Sequence, residues 1–106
     1  MNGVHCLRCG TLLLSSDCLD QIRDKIADEN FSMAELILDC PKCQSRFGLV
    51  MACDPTGLVV LLVQPEKTEQ CFAELKQMLE GGLSIATIAG IVNKAKKPQY
   101  ISFLGK

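Results

Sequence analysis

Tryptophan is absent from this sequence, tyrosine occurs once and phenylalanine four times. Any core must therefore be built mostly from Leu, Ile, Val and Ala, and few rings are available to stack on unpaired bases. A long hydrophobic run is missing as well. The longest, Gly57-Leu-Val-Val-Leu-Leu-Val63, is too short to span a bilayer, so no membrane partner is expected. The first residues, MNGVHCLRC, show neither the basic stretch nor the apolar region of a secretory leader, and a cytoplasmic protein is the expectation. Positive charge is not in excess: 11 Lys and Arg face 12 Asp and Glu, for a net charge of −1. A strongly basic nucleic-acid footprint is thereby excluded. Histidine is represented by His5 alone. No Ser/His/Asp set, phosphate-binding glycine loop or oriented Cys/His pair can be assembled, so the chain is not expected to be an enzyme.

What the chain does have is 48% hydrophobic residues, enough to pack a domain, and seven cysteines. An odd count without an export signal argues against a disulfide framework and for metal binding. Four of the seven form two Cys-x-x-Cys pairs, Cys6-Leu-Arg-Cys9 and Cys40-Pro-Lys-Cys43. Two thiolates so spaced can both reach one ion while the intervening amides point back at the sulfurs. Gly10 suits the tight turn after the first pair, and Pro41 stiffens the second loop. Cys6, Cys9, Cys40 and Cys43 together give the closed tetrahedral site that structural Zn2+ prefers. The 30 residues from 10 to 39 are no obstacle, because loop closure costs only about 0.6 kcal/mol more per doubling of length. A rubredoxin-like iron site is the alternative, although rubredoxins are rich in aromatics. His5 reads as a supporting or surface residue rather than a ligand. Cys18 and Cys71 fall on the apolar faces of expected helices and read as packing. Cys53 is open between packing, an extra ligand and an exposed thiol.

The remaining pattern predicts an α+β fold. Thr11 to Leu14 is a short strand, and Ser15-Ser16 can cap a helix whose apolar positions are Cys18, Leu19, Ile22 and Ile26, ending near Asn30. Leu36 to Leu38 reads as a strand entering the second knuckle. The rival signal is Ser32-x-x-Glu35, a capping box that would make 33–38 a helical turn. Two apolar runs, 47–52 and 58–63, flank Asp54-Pro-Thr-Gly57 and form a hairpin. Pro65 opens an amphipathic helix with Cys71, Phe72, Leu75, Met78 and Leu79 on one face, stopped by Gly81-Gly82. Ser84 caps a second helix that runs to about Lys97 and is stopped by Pro98. Tyr100 to Leu104 is a last strand. The expected architecture is a small zinc-ribbon-like β-hairpin domain over 1–63, with an acidic helical insert at about 17–30 between the knuckles. A helical extension, 64–106, packs on it.

Cys6-x-x-Cys9, Leu12-Leu13-Leu14, Cys40-Pro41-Lys42-Cys43, then an apolar strand ending Ala52-Cys53 and a Pro55-Thr56 turn resemble the Mu-like phage zinc-finger Com family. The resemblance covers roughly residues 4–56, and Ala52-Cys53 is its most distinctive part. It implies a small zinc-binding regulator that recognises messenger RNA and permits translation of a downstream phage gene. Cys6, Cys9, Cys40 and Cys43 would then be the zinc ligands, with Lys42 and Arg46 nearest the RNA.

Three functions follow from these patterns. In the first, Arg8, Lys42 and Arg46 contact phosphate or unpaired bases of RNA, and Lys94, Lys96 and Lys97 supply a second contact. In the second, the chain is an adaptor or inhibitor for a protein with a basic surface. It would use the seven acids between Asp17 and Asp39, and Leu83 to Val92 could serve as a homodimer face. In the third, the paired helices 66–80 and 84–97 are a DNA-binding helix-turn-helix.

Overall fold

The computed structural model describes residues 3–26, 31–95 and 99–103. Its organising element is a four-stranded antiparallel sheet in the order β3-β4-β5-β6, formed by Ser32–Asp39, Arg46–Asp54, Gly57–Val63 and Gln99–Phe103. A second, two-stranded sheet pairs β1 (Gly3–His5) with β2 (Leu12–Ser15). The helices are α1 (Ser16–Ile26), α2 (Thr68–Glu80) and α3 (Ile85–Ala95), with one turn of 3-10 helix, Pro65–Lys67, leading into α2. The α+β fold with small antiparallel sheets and two helices after the hairpin is the one expected from sequence.

Side chains alternate across a strand, so the two faces of the sheet feed two cores. Phe47, Leu49, Met51 and Cys53 of β4 and Leu58, Val60 and Leu62 of β5 point to one face, where Val4, Cys6, Leu19 and Cys40 meet them. Val50 and Ala52 with Val59 and Leu61 point to the other, where Cys71, Leu75 and Leu79 of α2 and Ile85, Ile88 and Val92 of α3 cover them. Both faces being covered explains why β4 and β5 read as unbroken apolar runs rather than alternating ones. Leu49 and Leu58 are wholly buried, and removing such a side chain from water is worth roughly 1.5–3 kcal/mol each.

Local signals account for the element ends. The Cys18 N–H donates to Ser15 Oγ at 3.1 Å, the cap expected for α1. Thr87 N–H donates to Ser84 Oγ at 3.3 Å at the start of α3. At the end of α2 the Leu83 N–H reaches back to the Met78 carbonyl at 3.0 Å, closing the helix at Gly81-Gly82. Asn30, Lys96, Lys97, Pro98 and Leu104 lie outside the described residues.

The strand expected over Leu36 to Leu38 forms and extends back to Ser32, and the rival capping box makes no helical turn, because all eight residues of β3 pair with β4, from Ser32 opposite Cys53 to Asp39 opposite Arg46. One expectation changes. Cys18 is exposed and is not a packing residue, since α1 turns Leu19 and Ile22 toward the core instead. The acidic run is also divided. Asp17, Asp20 and Asp24 belong to α1, whereas Glu35 and Asp39 belong to β3.

Candidate metal centre

Each Cys-x-x-Cys pair occupies the turn of a β-hairpin, one between β1 and β2 and one between β3 and β4. The backbone repeats itself closely in the two turns. Cys6 N–H donates to the Thr11 carbonyl at 2.8 Å, and Cys40 N–H to the Ser45 carbonyl at 2.8 Å. Gly10 N–H then donates to the Cys6 carbonyl at 3.0 Å, and Gln44 N–H to the Cys40 carbonyl at 2.9 Å. The residue after the second cysteine has positive φ in both, 80° at Gly10 and 65° at Gln44.

These turns bring the four sulfurs together. Sγ of Cys6 lies 3.5 Å from Sγ of Cys43, Sγ of Cys9 lies 3.6 Å from Sγ of Cys40, and all four fall within 4.8 Å of one another. A tetrahedral ion with metal–sulfur bonds of about 2.3 Å requires sulfur–sulfur edges of about 3.8 Å, so the cluster can hold one metal ion. The first cysteine of each pair is buried and the second is exposed, which sets the site half into the core and half at the surface.

Hydrogen bonds prepare the sulfurs to be thiolates. Arg8 and Cys9 N–H groups donate to Cys6 Sγ at 3.4 and 3.5 Å, and Lys42 N–H donates to Cys40 Sγ at 3.4 Å. Thr11 Oγ1 lies 3.0 Å from Cys9 Sγ and Ser45 Oγ lies 3.2 Å from Cys43 Sγ, equivalent places in the two turns. The Thr11 hydroxyl holds the Cys9 thiol below its ordinary range, and the Ser45 hydroxyl does the same for Cys43. For Cys40 the chief cause is backbone hydrogen bonding, first from Cys43 and then from Lys42. Burial pushes Cys6 the other way and outweighs the two amides that face it.

The remaining candidates are distributed unevenly. Arg8 and Lys42 are exposed at the same position of the two knuckles. Arg46 is exposed too, but its Nε donates to Asp39 Oδ1 at 2.8 Å, across the hairpin that the second knuckle closes. Lys94 is exposed on α3, the helix that covers the face of the sheet opposite to the core that holds Cys6 and Cys40. Lys96 and Lys97 lie outside the described residues. His5 is exposed, Cys53 and Cys71 are buried, and none of the three joins the sulfur cluster. Sequence reasoning missed Thr11 and Ser45. Aligning CLRCGT on CPKCQS would have found them, since a hydroxyl residue follows the second cysteine at the same offset in both.

No family model matches the chain, and no curated protein or solved structure shows significant similarity to it. No helix among the described residues is long and apolar enough to cross a membrane.

Proposed function

We propose that the four cysteines hold a structural zinc ion and that the chain is a non-enzymatic regulator whose knuckle end binds single-stranded RNA. The observation that carries this reading is the pair Arg8 and Lys42. Both are exposed, they occupy equivalent positions of the two knuckles, and neither has an acidic partner among the described residues. The same hairpin exposes Leu7 and Leu12, apolar surface of the kind that unpaired bases can cover. The resemblance of residues 4–56 to Com-family regulators supports RNA as the ligand. Four thiolates saturate zinc and leave no open coordination position, which supports a structural rather than a catalytic ion. Zinc would here fix the two hairpins against each other, in a reducing compartment such as the cytoplasm.

Four thiolates around a divalent ion leave a formal charge of about −2 on the cluster. Arg8 and Lys42 formally cancel that charge without leaving a positive excess, so the phosphate contribution is small and binding draws also on base contacts. Fluorescence anisotropy of labelled single-stranded RNA with zinc-loaded protein, over a salt series, tests this. With two phosphates contacted, the logarithm of the affinity should fall against that of the salt with a slope of about −1.4. Arg8→Glu combined with Lys42→Glu should abolish binding, while Arg46→Ala, which removes a cation already paired with Asp39, should change it little. Binding that is indifferent to Arg8 and Lys42 would refute the reading. A protein partner captured by these same residues in place of RNA would assign the surface to an adaptor instead.

A further inference from the structure

The four-stranded sheet ends in β3, and among the described residues no strand pairs with its outer edge. Eight residues long, β3 offers an edge of about 26 Å. The phase of its hydrogen bonding is set where it enters the knuckle. Cys40 donates to Ser45 across the hairpin, so every second residue back from Cys40, namely Leu38, Leu36, Ala34 and Ser32, bonds to β4. Met33, Glu35, Ile37 and Asp39 therefore turn their N–H and C=O groups outward. Natural edges are commonly shielded by a covering segment. Here Leu36 and Ile37 in mid-strand remain 38% and 48% exposed.

A groove runs beside this edge. Ile37 stands opposite Gly48, and a Cβ at Gly48 would collide with Thr68 Oγ1. The absence of that Cβ lets the start of α2 press close onto the sheet at this point. The result is an open cleft of about 390 Å³ between the edge and the helix entrance, lined by Glu35, Ile37, Pro65, Glu66, Thr68 and Glu69. Leu36 completes the lining, so three of its seven residues are carboxylates and none is a cation.

We propose that the β3 edge and this cleft dock an extended cationic peptide of a partner protein, added to the sheet as a further strand with Lys or Arg directed at Glu35, Glu66 and Glu69. The open ladder supplies main-chain bonds, Ile37 supplies an apolar contact for alternate side chains, and the carboxylates select the charge. A second copy of this chain is the disfavoured occupant. Pairing β3 with itself would bring two such acidic rims together, and like charges across a strand pair are destabilising. The proposal is independent of what the knuckle end binds.

Panning phage-displayed random octapeptides against the full, zinc-loaded chain tests it. The expected result is enrichment of peptides in which Lys or Arg alternates with β-branched residues. Their binding should weaken with salt and fall about tenfold in the Glu35→Lys, Glu69→Lys double variant, whose substitutions are at exposed positions. Amide shifts on titration should concentrate at Met33, Glu35, Ile37 and Asp39. The proposal is overturned by no enrichment of cationic peptides, by amide shifts elsewhere, or by concentration-dependent self-association that Glu35→Lys alters. Competition by RNA at these residues would overturn it as well.

Discussion

Gln44 and Gly10 do the same job with different means. Both sit at positive φ one residue past a Cys-x-x-Cys pair, a region that side chains with a Cβ enter at a cost of about 1–2 kcal/mol. Gln44→Gly should therefore stabilise the folded, metal-bound protein by about 1 kcal/mol, read as a raised thermal midpoint; an unchanged or lowered midpoint would mean the glutamine side chain contributes something the turn geometry does not reveal. The thiols permit a second prediction. Cys9, Cys40 and Cys43 are held below their ordinary value of 9.0, so each stabilises the fold above that value and loses its contribution as pH falls through the lowered one. Cys6, pushed up, has the opposite sign: it favours the fold while protonated, and that contribution fades as pH rises through its raised value. A bound ion requires all four as thiolates, so acid must expel it. Removing the hydroxyls with Thr11→Val and Ser45→Ala should move metal release to higher pH, followed with a chromophoric chelator. At this scale Gly10 was legible, because glycine after a knuckle announces its backbone. The exposure of Cys18 was not, because helical spacing places a residue near an apolar stripe without saying whether the stripe is wide enough to cover it.

Among the elements, the Asp54-Pro-Thr-Gly57 turn does more than close a hairpin. Asp54 is buried, and its Oδ1 accepts from Thr56 N–H at 2.7 Å, Thr56 Oγ1 at 2.6 Å and Gly57 N–H at 3.3 Å. Its Oδ2 accepts from the Ile85 N–H at 2.9 Å, and Ala86 N–H donates to Thr56 Oγ1 at 3.2 Å. The turn thus caps α3 from 30 residues away, placing a carboxylate at the positive end of the helix dipole. Asp54→Ala should cost about 1–3 kcal/mol, as lost caps and unpaired buried donors do. Asn, which keeps an acceptor, should recover part of it. Denaturant unfolding of the three proteins gives the comparison, and an Ala variant as stable as the parent would remove Asp54 from this role. The hairpin itself was plain in the sequence, because two apolar runs around Pro and Gly have few other readings. The cap was hidden because its partners are remote in the chain. β3 was only half legible: its polar and apolar residues do not alternate, since as an edge strand it is covered less than β4.

At the scale of the whole molecule, the two cores are not separable. β4 and β5 carry both, one on each face, so any event that frees one face from its covering layer loosens strands the other face needs. The metal centre belongs to one of these layers through Cys6 and Cys40, which are buried with Leu49, Leu58 and Val60. Metal binding free energy is folding free energy in such sites, and an ion held by the four cysteines would contribute it at the covering layer of one face only. Removing the ion with a strong chelator should nevertheless abolish the fold as a unit, with the helices α2 and α3 lost in the same transition as the knuckle hairpins. Far-ultraviolet circular dichroism reports the helices, and hydrogen exchange at Val59 and Leu61 reports the strands behind them. Cys40→Ser should behave like the chelated protein, because it removes one of the two buried ligands and leaves an incomplete site in a core that excludes water. Loss of the knuckle signals with α2, α3 and β5 still protected would show that the face opposite the metal stands without it, and that the ion staples one layer rather than the whole molecule.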